Sequence, residues 1–153
     1  MENKKRKTVI VLFWIYAALM VWLMFLQRIP TIIGNGSFEN YGEQLMCRLK
    51  IVPFETIGEF VRSLSRAWTT HAFVNLVGNV LMFVPLGFGL SVVSKKARSF
   101  LGCILCAFLV ILSAETIQLF TLLGYFDVDD LILNLIGVAM GYWLQVLFCS
   151  RSK

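Results

Sequence analysis

Three short stretches of this sequence set carboxylates and carboxamides inside long apolar runs. Such groups are costly in hydrocarbon unless they are paired or face a wet cavity, which makes each one a candidate for function. His71, Asn75 and Asn79 recur at i, i+4 and i+8, on one face of a helix with rungs about 6 Å apart. Glu115 and Gln118 are spaced i, i+3, again on one face. Asp130 and Asn134 are spaced i, i+4, with Asp127 one turn earlier if the helix begins early. Buried carboxylates can act as acid or base, and carboxamides both donate and accept hydrogen bonds. All eight residues are candidate binding groups. The bland alternative for the amides is interhelical bonding, which contributes about 0.6–2 kcal/mol per contact. A carboxylate is poor glue without a cation, and the nearest candidates are His71 and the arginines between the first two apolar runs. His71 with Glu115 or Asp130 offers too few ligands for a metal site, so no metal is expected.

The elements that carry these groups follow from the apolar runs. The chain has 153 residues, of which 58% are hydrophobic and 15% charged. Soluble domains carry about 25% charged residues, and a bilayer span needs roughly 20 apolar ones. The runs predict an all-α polytopic membrane protein with four spans, near residues 9–26, 72–93, 100–123 and 131–148, forming a single membrane domain. The first run follows Lys4, Lys5, Arg6 and Lys7, but it is long, bulky and lacks a cleavage-site pattern, so it reads as a retained span rather than a signal peptide. Pro85 and Gly87 predict a kink or break in the second span. Phe54, Ile57, Val61, Leu64 and Trp68 recur at helical spacing with Glu55, Glu59, Arg62 and Arg66 between them. That pattern predicts an amphipathic interfacial helix over 54–68. Gly137 and Gly141 form a small-xxx-small spacing that admits another helix closely.

The net charge of +5 matters less than where the charges lie. The N-terminal tail, the Lys95–Arg98 loop and the C-terminus are all basic, and four spans put these three segments on one side. Lys and Arg mark the cytoplasmic side, so both termini are expected there. No basic stripe with interleaved aromatics lies in a soluble segment, so nucleic acid is not an expected partner. Membrane lipid is. Cys103 and Cys106 sit in an apolar run with no second pair, and read as buried membrane cysteines rather than a metal site or disulfide framework.

Depth joins the polar stripes. Glu115 lies about 22 Å along the third span from Phe100. Asn79, Asp130 and Asn134 occupy the early turns of helices that enter from the opposite side to the basic loop. The three stripes therefore share the outer half of the bilayer and, facing inward, converge on one polar pocket.

Four stretches, VPFETI (Val52–Ile57), NLVGNVLMFVPLG (Asn75–Gly87), ETIQLF (Glu115–Phe120) and DVDDLILNLIG (Asp127–Gly137), together resemble the VanZ-like family of small bacterial membrane proteins. The resemblance covers about residues 50–142 and implies that Asn79, Pro85, Gly87, Glu115, Gln118, Asp127, Asp130, Asn134 and Gly137 are family-pattern positions. Many relatives have an arginine just before the acidic motif. Tyr125 occupies that region here, so a cation for Asp127 would have to come from Arg62 or Arg66.

The resemblance implies a non-enzymatic role in lowering susceptibility to lipoglycopeptides such as teicoplanin. The pocket would bind the antibiotic or a lipid-linked wall precursor. A second expectation is an enzyme acting on an envelope lipid or wall precursor through Glu115 and Asp130. No Ser-His-Asp order, dense metal cluster or phosphate loop supports it, and no catalytic residue or cofactor is assigned. A third is a scaffold subunit with Gly137 and Gly141 as its contact face.

Overall fold

The computed structural model describes residues 3–26, 29, 40–55, 57–58 and 70–150, except for the side chains of residues 3, 5, 70–75 and 149–150. The four apolar runs form helices: α1 (Asn3–Met24), α3 (Thr70–Val93), α4 (Phe100–Phe120) and α5 (Val128–Ser150). Each contains at least 18 residues apolar enough to cross a bilayer. Between α1 and α3 lie a short helix, α2 (Tyr41–Cys47), and a two-residue strand, β1 (Leu49–Lys50). A second strand, β2 (Phe126–Asp127), precedes α5. Most of the expected interfacial helix over 54–68, including Arg62 and Arg66, lies outside the described residues.

The helix bounds differ from the apolar runs for local reasons. α5 begins at Val128 rather than near 131, because Asp127 Oδ1 accepts the backbone N–H of Asp129 at 2.8 Å. An aspartate in that position caps a helix, and Asp129 and Asp130 in the first turn oppose its dipole favourably. α4 stops at Phe120 rather than near 123. Leu122 turns left-handed at φ 56°, and the amides of Leu123 and Gly124 fold back onto the carbonyl of Gln118. Ser99 caps the other end of α4 by accepting from the Gly102 amide.

α3 is the hub on which α1, α4 and α5 all pack. α5 lies closest, because glycines remove the side chains that would hold the helices apart. A Cβ at Gly137 would run into the Val80 carbonyl, one at Gly141 into the Val84 carbonyl, and one at Gly87 into the backbone of Val138. The small-residue spacing therefore admits a helix as expected, and that helix is α3 of the same chain. A contact face for another protein at Gly137 and Gly141 is thereby corrected: both are buried in the α3–α5 seam.

α3 runs unbroken through Pro85. The ring removes the N–H that would bond the Leu81 carbonyl. Nearby carbonyls gain bonds from neighbouring helices: Tyr16 Oη on α1 donates to Met82 O at 2.8 Å, and Cys103 Sγ on α4 lies 3.7 Å from Gly87 O. The core below is apolar, with Phe83, Leu86, Cys103, Ala107, Ile111 and Val138 buried together.

Candidate functional site

The last turn of α1, the third turn of α3, the last turns of α4 and the first turns of α5 lie at one end of the bundle. This is the end away from the basic Lys96–Arg98 turn between α3 and α4. A cavity of about 330 Å³ opens among them, within the usual size range of small-ligand pockets. Asn79, Glu115, Gln118, Asp127, Asp130 and Asn134 all line it. Leu23, Met24, Met82 and Phe83 form apolar walls, and Lys50 and Tyr125, both exposed, stand at the rim. Six of the eight residues singled out in the sequence thus meet in one space. The side chains of the other two, His71 and Asn75, lie outside the described residues.

The polar groups are held by specific bonds across helices. Asn79 Nδ2 donates to Asp130 Oδ1 at 2.6 Å, joining α3 to α5. Gln118 Nε2 donates to the Met24 carbonyl at 2.9 Å, joining α4 to the frayed end of α1, whose last carbonyls have no helical partner. Glu115, Gln118, Asp127 and Asn134 are all buried. Among the described residues Asn134 Oδ1 finds no hydrogen-bond partner, although Asn134 is only 2% exposed. Among the described residues, no group of three or more His, Cys, Asp or Glu side chains can hold a metal ion.

Among the described residues, Lys50 is the cation that lines the site. β1 and β2 pair in parallel with Lys50 opposite Asp127, which brings an ammonium to the rim of the cavity. Arg62, Arg66 and the side chain of His71, the other cations expected near these acids, lie outside the described residues. Lys50 was not singled out in the sequence, because a two-residue strand leaves no periodic trace. Arg48 has a different task. Its Nη1 donates to Leu122 O at 2.5 Å, and its guanidinium lies 5.6 Å from the centre of the Tyr125 ring. With Tyr41 Oη donating to Phe120 O at 2.6 Å and the Phe126 amide to Arg48 O, it fastens the 41–50 segment over the end of α4.

The three acids of the DVDD motif divide into distinct roles. Asp127 and Asp130 line the cavity. Asp129 turns away and is fully buried. Its Oδ1 accepts from the Phe54 amide at 2.6 Å and its Oδ2 from the Ile57 amide at 3.1 Å. Phe54 itself is left-handed at φ 65°, a conformation that costs a non-glycine residue energy and persists only when its surroundings enforce it. Asp129 was not among the expected site residues. The available signal was its place in the register: Asp127 and Asp130 are three apart and share a face, so Asp129 must point elsewhere.

These features define a class: an all-helical, multi-pass membrane protein whose apolar bundle encloses an acidic and amide-lined cavity at one end. The VanZ/LLP1 family model matches residues 13–149, nearly the whole chain, and the chain belongs to that family. No curated protein and no solved structure matches it.

Proposed function

We propose that this VanZ-like protein lies in the bacterial plasma membrane with both termini cytoplasmic. There it lowers susceptibility to lipoglycopeptide antibiotics such as teicoplanin, by binding the antibiotic or a lipid-linked wall component in the cavity at its outer end. The basic tail, the Lys95–Arg98 loop and the basic C-terminus share one side, which supports this orientation. The observation that carries the reading is the gathering of six polar residues from three helices and β2 around one space in an otherwise apolar bundle. Glue alone would pair these groups directly and leave no cavity. Membership of the family adds to it.

The test is antibiotic susceptibility of the native host with the gene deleted, restored or overexpressed. Overexpression should raise the inhibitory concentration of teicoplanin by at least fourfold and leave that of a glycopeptide without a lipid tail within twofold. Asp130→Asn should remove the effect while membrane levels stay normal. Unchanged teicoplanin susceptibility in all three backgrounds sinks the proposal.

A further inference from the structure

A second hollow lies in the half of the bundle away from the polar cavity and shares no lining residue with it. Val9, Leu12, Phe13 and Tyr16 recur at helical spacing on one face of α1. With four residues of α3 between Val84 and Gly89 they enclose a groove of about 250 Å³. Gly89 makes its floor. A Cβ there would run into the Phe13 ring, so the glycine lets that ring lie against the α3 backbone. Tyr16 carries the one polar side chain of the lining, and its hydroxyl is engaged at the Met82 carbonyl. Leu12 and Pro85 are exposed, so the groove opens sideways, where a bilayer would surround the helices.

The dimensions restrict what can lie in it. Val9 to Tyr16 is about 10 Å along α1, most of one leaflet's share of a hydrocarbon core about 30 Å thick. A groove of about 250 Å³ and that length is about 5–6 Å across. A helix with its side chains is about 10–12 Å across and does not fit. A single hydrocarbon chain does.

The mouth of the groove is basic. Arg6, three residues before Val9, continues the same face of α1, with Lys4 and Lys7 beside it, all exposed. Lys95, Lys96 and Arg98, also exposed, begin about 9 Å beyond Gly89. Among the described residues, no Asp or Glu lies in α1, in α3 or in the turn that follows α3. Over the whole sequence, Glu2 stands against seven Lys and Arg in the tail and that turn. The other eight acids belong to the connection between α1 and α3, or to the far ends of α4 and α5. Lys and Arg beside a span attract anionic lipid headgroups.

We propose that this groove seats one acyl chain of an anionic glycerophospholipid, whose phosphate rests against the basic residues at the start of α1 and after α3. The site is independent of the proposed function, because the two hollows have no residue in common.

Native mass spectrometry of the full-length protein released from detergent micelles tests it. The probes are palmitoyl-oleoyl phosphatidylglycerol, phosphatidylcholine and phosphatidylethanolamine, which differ only in headgroup. Phosphatidylglycerol should be retained at least fivefold more tightly than either of the others. Equal retention of the three overturns the proposal. Leu12→Trp fills the groove from its exposed edge and should lower phosphatidylglycerol retention at least fivefold. Val11→Trp adds the same ring on the opposite face of α1, where Val11 is 58% exposed, and should leave retention within twofold. Equal effects of the two tryptophans would mean that the chain does not lie in the groove. Replacing Lys4, Arg6 and Lys7 together by Gln should lower the headgroup preference at least threefold; an undiminished preference overturns the role given to these cations. Glycerol 3-phosphate in tenfold excess should not displace the lipid; displacement would mark a soluble phosphate as the ligand. A dimer abolished by Leu12→Trp would put a second copy of the chain in the groove and overturn the lipid.

Discussion

Asn79 on α3 donates to Asp130 on α5 across 2.6 Å, and about two to three turns further along α5 Gly137 and Gly141 bring the same two helices into backbone contact. The polar bond and the close approach belong to one seam. Glycines set the distance, and the distance lets an asparagine side chain reach a carboxylate on the facing helix.

The seam makes substitution at the glycines predictable. Gly141→Leu and Gly137→Val place atoms against the Val84 and Val80 carbonyls, which are backbone and cannot swing aside. Overpacking costs about 1–3 kcal/mol even where side chains give way, so both variants should lose most folded protein in a thermal melt in detergent. Gly78→Ala is the control. A Cβ there meets nothing within 4 Å, and relief of the glycine helix penalty should leave stability unchanged or raise it by about 0.5–1 kcal/mol. Equal losses at all three positions would refute the assignment of the close approach.

Removing the Asn79–Asp130 bond without removing bulk is the next test. Asn79→Leu should cost about 0.6–2 kcal/mol, the range for an interhelical bond in a membrane, and should leave Asp130 facing the cavity unbonded. The combined Asn79→Leu and Asp130→Asn variant should therefore be less destabilised than the sum of the singles. A double-mutant cycle on thermal melts reads the coupling. Strict additivity would mean that the bond contributes nothing.

Asp129 and Asp130 are adjacent, yet they should fail differently. Asp129→Ala removes the acceptor of two backbone amides, and charge-assisted bonds contribute about 1.5–3 kcal/mol each. The variant should expose the 41–58 segment to protease at least tenfold faster. Asp130→Asn should leave proteolysis there near wild type while lowering ligand binding. Matching protease profiles would contradict the division of roles.

Topology is open to a chemical test through Cys47, which is exposed at the end of α2. With the other three cysteines replaced by serine, a membrane-impermeant maleimide should label Cys47 on intact cells. With Cys47 also replaced by serine, Arg98→Cys in the basic turn should be labelled only after permeabilisation. The reverse pattern would place the cavity on the cytoplasmic side.

Tyr16 links α1 to the carbonyls around Pro85. Tyr16→Phe should cost about 1 kcal/mol and loosen α1 selectively, measured as faster hydrogen exchange in α1 than in α5. Uniform change across the helices would argue against this link.

Much of the architecture is local in origin and could be read from the chain. The four spans follow from run length, since each residue advances a helix by about 1.5 Å whatever its neighbours do. The polar set followed for the same reason. Spacings of three and four put Glu115 with Gln118 and Asp130 with Asn134 on single faces, and counting along the helices set them at a shared depth. Only convergence remained to be seen, and six of these residues do converge.

What the tertiary structure alone decided are the choices among partners. The one-dimensional pattern presents Asp127, Asp129 and Asp130 as alike. Their neighbours separate them: Lys50 in register beside Asp127, the Phe54 and Ile57 amides at Asp129, the Asn79 carboxamide at Asp130. Gly137 and Gly141 announced a close approach without saying whose helix would make it, and the answer was α3 of the same chain. Helix periodicity is set within a few residues, whereas the group that satisfies a buried carboxylate here is brought from more than 50 positions away by packing.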